Sequence, residues 1–88
     1  MNQVKLTGDL IDLQIIETEE GKKAMAKLKI ERRDKTTYEV EVIGTSNVAN
    51  QMQKNFKKSS YVGVKGKLER LNKKLVVELE NIVFISQR

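Results

Sequence analysis

An 88-residue chain makes one domain, 1–88, and buries only roughly 60 to 65% of its unfolded surface, so its core has to be economical. It contains no cysteine and no histidine, which removes disulfides, thiolate metal sites, the commonest general base and the commonest transition-metal ligand. Its 17 basic residues against 12 acidic ones give a net charge of +5 and a pI near 9.6, a balance that favours a polyanionic partner.

The chain enters a strand pattern at once. Val4, Leu6 and Leu10 keep an alternating register, with Gly8 where a bend would fall, and Leu13, Ile15 and Ile16 extend the element. The doublet at 15 and 16 predicts a bulge or a change of face there. Residues 18–23 read as a turn, with Gly21 available for a positive φ. A second strand places Ala24, Ala26, Leu28 and Ile30 on one face, and small residues suit a narrow barrel interior. After a short polar connection over 32–36, a third strand directs Tyr38, Val40 and Val42 inward and Thr37, Glu39, Glu41 and Ile43 outward, with Tyr38 facing either the barrel or a subunit interface.

At Gly44 to Ser46 the period of two gives way to one near 3.6. Ser46 is the expected N-cap, and Val48, Ala49, Met52 and Phe56 form the apolar stripe of a helix that lids a core. Lys54, Lys57 and Lys58 cluster at its C-terminal end, where cations suit the dipole. A hairpin over 61–79 follows. Val62, Val64, Gly66 and Leu68 point inward, Lys65, Lys67 and Arg70 decorate the other side, and Gly66 permits a sharp bend. Val77 and Leu79 continue inward, and Ile82, Phe84 and Ile85 close the pattern. Five strands with one helix between the third and fourth make a mostly all-β chain organised as an OB-fold barrel.

Positive charge is unevenly spread. Residues 1–21 carry a local net of −4, whereas 22–36 carry +5 and 61–75 carry +4. A solvated lysine-rich surface would account for the excess; so would two arms of a phosphate-binding cleft. Opposed lysines and glutamates on strands two and three would neutralise part of such a cleft.

Over nearly its whole length the chain resembles the DNA-binding domain of bacterial single-stranded DNA-binding proteins. The stretches that carry the resemblance are Asn2-Gln-Val-Lys-Leu-Thr-Gly-Asp-Leu10, Gly21-Lys-Lys-Ala-Met-Ala-Lys-Leu-Lys-Ile30, Glu39-Val-Glu-Val-Ile-Gly44, Lys57-Lys-Ser-Ser-Tyr-Val-Gly-Val-Lys-Gly-Lys-Leu68 and Glu80-Asn-Ile-Val-Phe-Ile85. The family stacks bases on tryptophans and a phenylalanine, but this chain has no tryptophan, and Thr37 and Ile43 stand where two of those rings fall. The loops between strands two and three and between four and five are shorter than the family's wrapping loops. The sequence ends at Ser86, Gln87 and Arg88, without the family's acidic tail.

The resemblance implies a cytoplasmic, non-enzymatic protein of replication, recombination or repair, with no cofactor and no metal, that binds single-stranded DNA, or RNA, mainly through phosphates. Lys27, Lys29, Arg32, Arg33 and Lys35 are the expected contacts from one side, and Lys65, Lys67, Arg70, Lys73 and Lys74 from the other, with Tyr61 as the stacking residue and Phe56 and Phe84 in the core. It also implies a homodimer or homotetramer, in which Ile11 or Leu71 could take part, and replication or repair proteins as partners. The alternative is a primosome-like or mobile-element module that works chiefly through protein–protein contact and binds nucleic acid weakly. No glycine-rich phosphate loop and no carboxylate paired with histidine or cysteine supports an enzyme.

Overall fold

The computed structural model describes residues 2–58 and 60–85. Five strands, β1 (Val4–Thr18), β2 (Gly21–Glu31), β3 (Thr37–Thr45), β4 (Ser60–Leu71) and β5 (Lys74–Phe84), and one helix, α1 (Ser46–Asn55), follow one another in chain order. The strands close into a barrel in the order β1-β2-β3-β5-β4, with the helix between β3 and β4, which is the OB-fold. Because β1 is long it serves twice: Val4 to Leu10 pair with β4, and Asp9 to Thr18 pair with β2. Closure comes from a short parallel contact of β3 with β5, where Val42 lies beside Val77 and Ile43 beside Glu78.

The change of partner along β1 needs a bend, and it falls at 11–14 rather than at the expected 15–16. The register with β2 slips between Ile11 and Gln14, and Asp12 takes φ 56, a left-handed conformation that short polar side chains tolerate best. Ile16 then pairs regularly with Lys23 and its side chain is exposed. Gly8 marks a close approach: a Cβ there would stand 2.5 Å from the Lys29 carbonyl oxygen of β2.

The core collects the inward alternate residues, Leu10, Ala24, Ala26, Leu28, Val42, Val62, Val64, Val77, Leu79 and Ile82, together with Ala49 and Met52 of the helix. Phe56 and Phe84 are partly buried against it. The helix thus lids one end of the barrel as its stripe predicts, but its N-cap is Thr45, with no side-chain cap hydrogen bond, instead of Ser46. Pairing with Lys23 holds Thr45 extended at φ −129, so the chain turns only at Ser46, which takes φ 52.

Leu68 departs from the expected inward pattern. It is 41% exposed, because β4 pairs with β1 only as far as Gly66, so Leu68 has a strand partner only on its β5 side, and past Val77, where the β3 contact of β5 ends, β4 and β5 run on as a two-stranded arm. The side chain of Asn2 stands in for the missing strand: its Nδ2 donates to the Leu68 carbonyl at 2.6 Å, and its Oδ1 accepts from the Leu68 N–H at 3.0 Å. Gly66 sits where the arm leaves the barrel, at a register shift, and the Glu78 carbonyl of β5 fills the space of a side chain. The tip is a two-residue turn with Asn72 at φ 51 and Lys73 at φ 69, the left-handed pair of a type I′ hairpin. Residues Ser86 to Arg88, to which the expectation about the tail applies, lie outside the described residues.

Candidate nucleic-acid interface

The outer faces of β2, β3 and the β4–β5 arm form a curved surface bordered by two hairpins. In a cleft of about 780 Å³ the β1–β2 turn, with Lys22 and Lys23, meets the β4–β5 arm, with Arg70 and Leu71, over a floor of Ile43 and Val76. Ile43 points outward as its parity demands, yet it is only 7% exposed, because the cleft walls shelter it and Val76. Four carboxylates, Glu19, Glu20, Glu69 and Glu78, share this cleft. A neighbouring cleft of about 480 Å³, formed where β1 bulges, brings together Lys27 of β2, Glu41 of β3 and Lys74 of β5.

The two basic blocks therefore meet across β3, and glutamates stand between them. Glu39 and Glu41 are placed by register opposite Lys29 and Lys27, but the ion pairs run diagonally. Lys27 Nζ lies 3.8 Å from Glu39, and Lys74 Nζ lies 3.5 Å from Glu41. These contacts are long and solvent-exposed, and such pairs contribute about 0 to 1 kcal/mol, so a phosphate can displace them at little cost. Lys67 is similarly held by Glu80 at 3.8 Å, on the arm. Lys29, Arg33, Lys35, Arg70 and Lys73 make no ion pair among the described residues.

Not every expected contact falls on this surface. Lys65 lies on the β1–β4 side, directly opposite Lys5, in a shallow cleft with Thr7, Gly63, Asn81 and Val83. Tyr61 projects from that same strand face, half-buried, with Asp9 as its cross-strand neighbour. Only β1 lies between Tyr61 and Lys29, because Asp9 pairs with both. Arg33 and Lys35 occupy the 32–36 loop at the end of β2, a connection closed by hydrogen bonds from the Arg32 N–H to the Thr36 carbonyl at 2.8 Å and from the Lys35 N–H to the Arg32 carbonyl at 3.0 Å. Within it the Thr36 hydroxyl and N–H both donate to Asp34 Oδ1, at 2.6 and 3.0 Å, and they hold the Asp34 carboxyl below its ordinary range.

Tyr38 is neither in the barrel nor covered by any described residue of the core. It is 38% exposed, and the Arg32 guanidinium lies over its ring, 4.7 Å from the centroid. Lys5, Lys22 and Lys23, counted in the charge blocks, are not among the expected contacts. Only the strand register, which sets Lys5 against Lys65 and carries the β1–β2 turn to Arg70, reveals their company. Among the described residues no helix is long and apolar enough to cross a membrane, and no cluster of acidic residues could hold a metal ion.

No protein-family model matches the chain, and no curated protein matches its sequence. Solved structures do match its fold. The single-stranded DNA binding protein from Thermus aquaticus superposes with a TM-score of 0.87 at 23% identity over 100% of this chain, which spans 42% of that one. The N-terminal domain of the PriB protein from Thermoanaerobacter tencongensis, in a dimeric structure, matches with a TM-score of 0.78 at 20% identity over 98% of both chains. The SSB domain of a Synechococcus sp. protein gives 0.80 at 16% identity over 93% of each.

Proposed function

We propose that this chain binds single-stranded DNA through phosphate contacts on the outer face of its barrel. The observation that carries the proposal is the meeting of the two basic blocks across β3, Lys27 with Lys74 and Lys22 and Lys23 with Arg70. Lys29, Arg33, Lys35 and Lys73 extend the same charge outward and are uncommitted among the described residues. Similarity in fold to the single-stranded DNA binding protein from Thermus aquaticus supports this reading. An extended single strand offers both its phosphates and its unpaired bases to such a surface, whereas a duplex keeps its bases paired. Labelled oligo-dT and a duplex of equal length, titrated at low salt, separate the possibilities. The proposal expects at least about 10-fold tighter binding of the single strand, and equal binding of both would reduce it to nonspecific attraction of a basic protein for polyanions.

The carboxylates of the larger cleft favour a second reading. Ile43 and Val76 offer an apolar floor with Leu71 beside it, and Glu19, Glu20, Glu69 and Glu78 ring it with negative charge, a composition suited to docking a basic peptide segment. On that reading the chain is an assembly module that binds nucleic acid weakly, and the oligo-dT titration shows little affinity even at low salt. In either case we infer self-association as a homodimer or homotetramer, supported by the dimeric structure of the PriB domain and by exposed Val83 and Leu71, with light scattering as the check. A non-enzymatic role in replication, recombination or repair, in the cytoplasm, is part of the same proposal.

A further inference from the structure

The pair formed by Arg32 and Tyr38 has no evident task in the fold. Ile30 and Val40, its neighbours on the same strand faces, are partly buried against the core, but Tyr38 is not among the residues packed there. Its ring lies at the barrel's edge, 38% exposed. The geometry that presents it is nonetheless well defined. Ile30 pairs with Tyr38, and two residues farther out the Arg32 N–H donates to the Thr36 carbonyl, so the side chains of Arg32 and Tyr38 leave the ladder on one face as diagonal neighbours. Asp34, the acid of the 32–36 loop, is occupied by the hydroxyl and N–H of Thr36, and Arg32 forms no ion pair among the described residues. The guanidinium is thus left on the ring, with Arg33 and Lys35 exposed on either side of the acid.

We infer that the Arg32–Tyr38 pair is a stacking platform for one unpaired base of a single strand, with Arg33 and Lys35 taking the adjoining phosphates. The inference rests on the proposed single-strand binding and adds Tyr38 to Tyr61 as an aromatic contact. Every base has a π face, and both a tyrosine ring and a guanidinium plane accept one, so a stacked pair offers a platform without sequence preference. A cation on a ring is worth little at an exposed site, but it holds the ring in one orientation and places positive charge where phosphate runs.

Labelled oligo-dT of about 12 nucleotides and an abasic oligomer of the same length, titrated against the whole chain, test it. Tyr38→Ala should weaken oligo-dT binding about 10-fold and leave the abasic oligomer within about 2-fold, while Tyr38→Phe should retain the wild-type affinity for both. Arg32→Lys, which keeps the charge and loses the plane, should lower oligo-dT affinity and spare the abasic oligomer. Wild-type protein that binds oligo-dT while Tyr38→Ala binds it equally well overturns the platform and leaves the proposed function standing. An equal loss on both oligomers also overturns it, since a fold or charge effect needs no base. Wild-type protein that binds neither oligomer removes the proposed function and the platform with it.

Discussion

At the scale of single residues, the outcomes that alternation could not supply depend on where the barrel ends. The period-two pattern assigns Tyr38 and Leu68 to the inward side, and their parity is right. What the pattern lacks is the length over which neighbouring strands cover them, and beyond Gly66 on β4 and before Val40 on β3 that cover is gone. Asp34 shows a residue whose chemistry is fixed by its own loop. Its carboxylate is stabilised by the Thr36 hydroxyl, then by the Thr36 N–H, so its folded-state pKa lies below the ordinary 3.8. A depressed carboxylate pKa contributes order that is fully present above the unfolded value and is lost as pH falls through the folded one. The loop should therefore keep its hydrogen bonds at pH 3.8 and give them up only below it, which the pH dependence of the Thr36 amide resonance reads directly. A midpoint at or above 3.8 would contradict the geometry.

At the scale of elements, the five strands and the helix are legible because each side chain's face follows from its neighbours one and two positions away. The bulge in β1 is not. It arises from a change of partner from β4 to β2, a long-range event that left only Asp12 at φ 56 as a local mark. Gly66 was readable as a bend because it interrupts an apolar register, and its environment now gives the substitution a size. A Cβ there would meet backbone atoms of β5, with the Glu78 carbonyl carbon at 2.9 Å and the Leu79 Cα at 3.0 Å, and backbone cannot rotate away as a side chain can. Gly66→Ala should cost about 3 kcal/mol, a fall in Tm on the order of 15 °C for a domain of this size. A thermal melt within about 3 °C of wild type would mean that the arm leaves the barrel with more room than the pairing indicates.

For the whole molecule, net charge pointed to a polyanion and strand topology decided how that charge is arranged. Sequence blocks suggested two arms of one cleft. The fold brings Lys27 to Lys74 and Lys22 and Lys23 to Arg70, sets Lys65 beside Lys5 on the β1–β4 side, and leaves Tyr61 one strand away from Lys29. Glutamates interleave both clefts, so affinity depends on phosphate displacing weak, exposed ion pairs. Such binding releases condensed counterions in proportion to the phosphates contacted, with a slope of about −0.7 per phosphate for a single strand. The salt dependence of oligo-dT affinity tests this most directly. If about six phosphates are engaged, log K should fall against log salt with a slope of about −4, a loss of about 300-fold between 50 and 200 mM. An affinity that changes by less than about 2-fold over that range would contradict the electrostatic mechanism.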